Sequence, residues 1–405
     1  METRVYDVAI VGGGIVGLAT GLALISDHPD LRLVILEKER EVGTHQTGHN
    51  SGVLHSGIYY RPGSHKAQLC VEGARLMREF CAEHAIPIVD CGKVIVATDE
   101  RELPRLDDLF ERGAANGVEG IERIGPERLR EIEPQAVGLR AIYSPRTACL
   151  DYARVAQVMA GEARRRGVVI ETGAPVTAIS WRAGRHIVRT HHGESQARHL
   201  INCAGLYSDA VARMAGAAPG VRIVPFRGEY YLIRPERRDL VRGLIYPVPD
   251  PEFPFLGVHF TRTVHGDVET GPNAVLAFAR EGYAWNRVHV AELAATLTYP
   301  GFWRMARRYW RTGLYEVWRS LSKREFVAAL RRLVPDLRPE DVARGGSGVR
   351  AQAVTPQGQL VDDFSIVATR DAIHVLNAPS PAATASLAIG RHIAGLAEGF
   401  ARASR

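Results

Sequence analysis

Near its start the chain reads DVAIVGGGIVGLATGLAL, which places Gly12, Gly14 and Gly17 in the spacing G-x-G-x-x-G. A run rich in β-branched residues, Val5 to Val11, precedes the glycines and predicts a buried parallel strand. Apolar residues at helical spacing, Ile15 to Leu24, follow them. A second apolar run, Leu31 to Leu36, then ends in Glu37. This order has a physical logic. The first glycine permits the tight turn, the second lets a pyrophosphate approach the backbone at the positive end of a helix, and the third lets helix and strand pack closely. A carboxylate at Glu37 is placed to accept hydrogen bonds from ribose hydroxyls. The chemistry predicted is dinucleotide binding.

The glycines alone do not choose between a nicotinamide and a flavin dinucleotide. Two later segments bear on that choice. Lys38 to Gly52, KEREVGTHQTGHNSG, is too long for a simple strand-to-helix turn and reads as a functional loop. Far downstream, Arg198 to Gly205, RHLINCAG, reads as a strand entering a small-residue turn, with a helix from Leu206 to Ala215.

Taken together, GGGIVG with LEKE, the THQTGHNSG loop and INCAGLYSDAVA resemble the D-amino-acid-oxidase type of FAD-dependent oxidoreductase. Within that group the chain is similar to the L-2-hydroxyglutarate oxidase/dehydrogenase family. The stretches HQTGHNSGVLHSGIYYRPGSHKAQLC, FRGEYYLI, YPVPDPEFPFLGVHFTRTVHGDVETGPNAVLAFAREGY, GVRAQ and LNAPSPAATASLAIG carry this resemblance over nearly the whole chain.

The resemblance implies an α/β fold in which a Rossmann-like FAD-binding domain (1–85, 151–220 and 345–405) interleaves with an α+β, mixed-sheet substrate domain (86–150 and 221–344). Strand signals at Lys93 to Ala97, Glu229 to Ile233 and Ala274 to Ala279 suit the second domain, and signals at 167–171 and 174–179 suit the first. Non-covalent FAD is expected, although His45, His49 and His55 fall near the flavin. The residues implied to hold FAD are Gly12, Gly14, Ile15, Val16, Gly17, Glu37, Lys38, Thr44, Thr47, Asn50, Ser51, Gly52, Val176, Ala204 and Gly205. To these the final segment before a C-terminal helix (about 385–398) adds Ser380, Ala382, Ala383 and Thr384.

The activity implied is oxidation of a carbon bearing hydroxyl and carboxylate, with hydride passing to flavin N5. That requires a base, and His55 and His259 compete for the role because imidazole titrates near working pH. It also requires a carboxylate clamp, for which the guanidinium of Arg350 is the choice. The distal carboxylate of a 2-hydroxy diacid draws on Tyr60, Arg61, Lys66, Arg227, Arg262 and Gln352, which the sequence does not rank. Rival readings are a flavoenzyme of another 2-hydroxy acid, an amino acid or glycerol 3-phosphate, and a non-catalytic flavin-bound membrane or partner-binding protein.

Charge and cysteines narrow the setting. The net charge of +6 over 405 residues fits an anionic substrate or an anionic surface, and no nucleic-acid motif accompanies it. Five scattered cysteines without C-x-x-C spacing predict neither a disulfide framework nor a metal site, and suit a reducing cytoplasm. The residues before Val5 do not read as a basic-then-apolar signal peptide, and no apolar run reaches membrane-spanning length, so a cytoplasmic setting is the expectation. One stretch, 302–326, reads as an amphipathic helix with Phe302, Trp303, Ala306, Tyr309, Trp310, Gly313, Val317 and Leu321 on one face. Arg304, Arg307, Arg308, Arg311, Arg319 and Lys323 gather on the other. This helix either packs its aromatic face on the substrate domain or lies peripherally on the cytoplasmic face of an inner membrane, where a quinone accepts electrons. Oxygen is the alternative acceptor.

Overall fold

The computed structural model describes residues 4–250 and 256–398. The strand Arg4–Val11 sits at the centre of an eight-stranded sheet. It pairs in parallel with Leu33–Leu36 on one side and Gly193–Asn202 on the other. Val8, Ala9 and Ile10 are fully buried because helices cover the sheet. Helix Ile15–Asp27 packs against the C-terminal helix Ser386–Leu396, and the contact is close at Gly390, where an added Cβ would stand 2.6 Å from the Ala19 backbone. Val169–Glu171 extends one edge of the sheet, and Ala372–Asn377 pairs in parallel with Gly193–Asn202.

A second sheet of nine strands is mostly antiparallel. Its long strand, Arg222–Ile233, pairs with Val342–Val354, and its middle holds His259–Arg262, Leu244–Pro247 and Lys93–Ala97. A three-stranded sheet, Val53–Leu54, Ala148–Leu150 and Ile88–Val89, completes the strands. The fold is thus mixed α/β, as the resemblance implied.

Four expectations change in detail. The strand Val342–Val354 spans position 345 and is hydrogen-bonded to Arg222–Ile233, so it belongs wholly to the second sheet. Residues 174–177 are not strand. Pro175 has no N–H to give a ladder, the Ala174 N–H goes to the Glu37 carbonyl, and the strand begins at Ala178. The expected strand 274–279 shrinks to Val275–Leu276, since the Ala274 N–H donates to the Glu316 carboxylate instead.

The amphipathic segment is also different. Its helix is Pro300–Leu321, kinked at Tyr309, and Ser322 caps a separate helix, Lys323–Leu330. Phe302 and Met305 are buried, with a Glu316–Arg319 ion pair, while Trp303, Trp310, Leu314, Trp318 and Leu321 are 55–67% exposed. The tryptophans therefore face outward beside the arginines rather than packing on the second sheet. No helix among the described residues is long and apolar enough to cross a membrane.

Candidate active site

The glycine turn has the geometry its spacing demands. Gly12 has φ +110°, and a Cβ there would stand 2.4 Å from the Cys203 carbonyl oxygen. A Cβ on Gly17 would stand 2.0 Å from the Gly12 carbonyl oxygen, so Gly17 serves helix–strand packing and does not line the cavity. Gly14 caps helix Ile15–Asp27 without a side chain of its own, and the Ile15 N–H donates to the Thr47 hydroxyl at 3.0 Å. The Glu37 carboxylate accepts from the N–H groups of Gly13 (2.7 Å) and Glu39 (2.9 Å), which fixes it beside the turn with lone pairs to spare.

From this turn a cavity of about 1470 Å³ runs between the two large sheets. That exceeds the room a single drug-sized ligand needs, ~300–1,000 Å³, and suits a dinucleotide with a small substrate beside it. Of the residues expected to hold FAD, all but Gly17 and Gly52 line it. Gly52 takes φ +66° and packs against the Leu150 carbonyl, with its N–H on the Asn50 side chain, so it shapes the loop from behind. The Thr384 hydroxyl is engaged by the His55 N–H, Tyr152 and the Val53 carbonyl, which ties the C-terminal segment to the first loop.

Both histidines reach this cavity, and they differ in how they are held. The His259 Nδ1 lies 2.8 Å from the Gly257 carbonyl, so Nδ1 carries the proton and Nε2 keeps its lone pair. Its ring lies tilted against that of Tyr246, with the centroids 3.9 Å apart. The His55 Nδ1 is buried with no hydrogen-bond partner among the described residues, and Cys70 Sγ donates to its carbonyl. Burial pushes both imidazoles down to about 3, and the nearby Lys93 charge adds to the effect, so both are neutral at ordinary pH. The Arg350 guanidinium lines the same cavity near Tyr230, lowered by burial yet still cationic.

The distal-clamp candidates separate by strand parity. Tyr60, Arg61, Lys66 and Gln352 line the cavity. Gly228 and Tyr230 also face it, so Arg227, one residue off, points to the opposite side, where it meets Glu229 and Trp285. Arg262 is likewise out of phase with His259 and donates to the Val241 carbonyl. Neither arginine lines the cavity. Lys66 pairs with Asp362 at 2.9 Å, Gln352 donates to the Ala353 and Val361 carbonyls, and Tyr60 bonds Ser380.

Sequence reasoning passed over several groups. Glu39 and Glu281 join Lys38 and His45, which the sequence had placed near FAD, in a polar cluster that ties the first loop to the second sheet, with Lys38 bonded to Glu281 at 2.5 Å and the His45 ring against Tyr283. Tyr59 and Tyr246 on the cavity wall and Lys93 behind them were also missed. Their only signal is a lysine opening an otherwise apolar strand, KVIVA.

A glycine turn on a parallel sheet, a cavity roofed by a mixed sheet and a pair of neutral histidines beside an arginine define a flavin-type oxidoreductase. The chain belongs to the FAD dependent oxidoreductase family, which matches it over residues 7–396, and its cofactor is FAD. It is 51% identical over 386 residues to the L-2-hydroxyglutarate dehydrogenase of Indibacter alkaliphilus, covering 95% of this chain and 97% of that one. It is 43% identical over 410 residues to the mitochondrial L-2-hydroxyglutarate dehydrogenase of Homo sapiens, covering 97% and 89% of the two chains. Among solved structures, the FAD-bound L-alpha-glycerophosphate oxidase of Mycoplasma pneumoniae superposes with a TM-score of 0.79 at 23% identity over 98% of this chain and 95% of that one, a likeness of fold.

Proposed function

We propose that this enzyme oxidises L-2-hydroxyglutarate to 2-oxoglutarate. The observation that carries the reading is the placement of His259 and Arg350 in one cavity with the glycine turn, a neutral acceptor beside a buried cation. The names of the relatives support the choice of substrate. In this reading the Gly12–Gly14 turn, the start of helix Ile15–Asp27 and Glu37 hold the dinucleotide, and the Lys38–Gly52 loop and the 380–384 segment flank its flavin. When bound, FAD supplies the acceptor for the hydride leaving the substrate's C2. Arg350 grips the C1 carboxylate with paired hydrogen bonds. His259 Nε2 takes the hydroxyl proton, with its tautomer set by the Gly257 carbonyl, and His55 orients the substrate. A bound dianion raises the basicity of both imidazoles relative to the empty cavity. The two large sheets are the cores of the two interleaved domains, and reaction takes place between them.

The electron acceptor is a membrane quinone. The outward face of Trp303, Trp310, Leu314, Trp318 and Leu321, flanked by Arg304, Arg307, Arg308 and Arg311, matches the apolar boundary and anionic headgroups of a bilayer surface. Five unpaired cysteines suit the reducing, cytoplasmic side.

The test is anaerobic. The purified flavoprotein is mixed with L-2-hydroxyglutarate, and with the D form, glycine and glycerol 3-phosphate in parallel, while flavin absorbance is followed. Bleaching by the L form alone is expected, and bleaching by another of the four in its place overturns the substrate assignment.

A further inference from the structure

Lys93 opens the strand Lys93–Ala97 in the middle of the second sheet, and only 1% of its surface is exposed. Its ammonium lies 4.6 Å from the centre of the Tyr59 ring and 5.3 Å from that of Tyr246. Among the described residues no carboxylate forms an ion pair with it. The Tyr59 hydroxyl, on a ring that lines the cavity, is also buried without a hydrogen-bond partner among the described residues. The Tyr59 hydroxyl thus stands at the cavity wall without a partner, and the Lys93 ammonium lies just behind that wall, over two aromatic faces and facing no carboxylate among the described residues.

A buried ammonium without a counter-charge costs several kcal/mol, and an orphaned hydroxyl adds to that cost. A carboxylate at this point answers both. The setting singles out which carboxylate. His259 feels the charges of both Arg350 and Lys93, and its ring lies against the Tyr246 that sits beneath the ammonium. One cation on each account is what a substrate with a carboxylate at each end requires, with the reacting carbon by the histidine.

We propose that the Lys93 ammonium and the Tyr59 hydroxyl form the subsite for the second carboxylate of the substrate, the one remote from the oxidised carbon. The proposal rests on the dicarboxylate reading above. It makes Lys93 and Tyr59 the residues that separate a 2-hydroxy diacid from a 2-hydroxy monoacid of equal length. A pocket built to bond a group rejects the analogue lacking it far more strongly than an apolar pocket rejects a missing methylene.

The experiment compares L-2-hydroxyglutarate with L-2-hydroxyvalerate, whose methyl replaces the remote carboxylate, in anaerobic flavin reduction by the wild type, Lys93→Met and Tyr59→Phe. The expected result is that Lys93→Met lowers the diacid-to-monoacid ratio of kcat/KM by ~100-fold or more and Tyr59→Phe by ~10-fold. Equal losses on both substrates, or an unchanged ratio, overturn the proposal. A second arm needs no turnover. Glutarate and pentanoate are titrated into the holoenzyme and binding is read from the flavin spectrum. Glutarate binds more tightly to the wild type, and that advantage disappears in Tyr59→Phe and Lys93→Met. Glutarate binding no better than pentanoate in the wild type overturns the subsite. If no hydroxy acid reduces the flavin yet glutarate is preferred, the oxidation reading fails while the subsite stands. Glycerol 3-phosphate reduction that depends on Lys93 more than reduction by the diacid does would reassign the anion to a phosphate and overturn the carboxylate proposal.

Discussion

The backbone N–H of His55 donates to the Thr384 hydroxyl at 3.1 Å, across 329 positions of the chain. The same hydroxyl meets Tyr152 Oη at 2.9 Å and donates to the Val53 carbonyl at 3.2 Å. Thr384 therefore joins the end of the first loop to the turn before the last helix, and both flank the cavity. Thr384→Val leaves these buried groups unsatisfied. It should cost ~1–3 kcal/mol in urea denaturation and lower the bound flavin, whereas Thr384→Ser retains most of both.

The glycines of the first turn should separate by role. A Cβ on Gly14 would lie 3.5 Å from Thr47 Oγ1, an ordinary contact, while one on Gly17 would collide with the Gly12 carbonyl. Gly14→Ala is expected to fold, as judged by circular dichroism, yet to purify with little FAD, because the methyl stands where the phosphates approach the backbone. Gly17→Ala is expected to lose fold and flavin together. A flavin-loaded Gly14→Ala protein would show that the diphosphate lies elsewhere.

Period and punctuation made the first sheet legible. The apolar run to Val11, the glycines and Glu37 lie where the sequence implied, because local rules govern a strand–turn–helix unit. Side-chain direction in the second sheet was not legible in the same way. Arg227 and Arg262 look like anion clamps in the sequence, and a one-residue phase puts both on the wrong face, since the register is set by partners far along the chain. Lys93 escaped for the opposite reason. A lysine at a strand start reads as solvated, and only the tertiary structure closes Tyr59 and Tyr246 over it. For helix Pro300–Leu321 the sequence left two placements of the aromatic face open, because periodicity does not say which face is covered, and the structure leaves Trp303, Trp310 and Trp318 more than half exposed.

Replacement of each histidine should rank the two. His259→Ala is expected to slow flavin reduction by L-2-hydroxyglutarate ~100- to 10,000-fold with flavin retained, the range for loss of a general base. His55→Ala should cost less. A larger loss at His55 would exchange the roles. Because both imidazoles are held near about 3, the free enzyme has its base unprotonated across mildly acid pH. The acid limb of kcat/KM should therefore fall well below the ordinary histidine range.

The exposed tryptophans make a separate claim. Wild type should co-float with vesicles containing an anionic lipid, weaken as salt rises, and ignore neutral vesicles. Trp303→Ala, Trp310→Ala and Trp318→Ala combined should abolish flotation while anaerobic flavin reduction by substrate is unchanged. Flotation by the triple variant would remove this face from the membrane.

Lys93 links stability to function with a definite sign. Burial holds its ammonium down at about 8, against an ordinary value of 10.5. The unfolded chain then binds the proton more tightly than the folded one, so stability rises with pH between those two values and the full penalty applies below the lower. The gap corresponds to ~3 kcal/mol near neutral pH. Lys93→Met should therefore raise the urea midpoint near pH 7, and the gain should shrink toward pH 10. Glutarate should stabilise the wild type more than pentanoate does and the variant no more than pentanoate does, because the dianion supplies the charge that the fold withholds. In the wild type, kcat/KM for the diacid should also decline as pH rises through about 8, a limb absent from Lys93→Met. A variant less stable than the wild type near pH 7 would mean that the ammonium serves the fold, since a group held for a substrate is one the empty protein is better without.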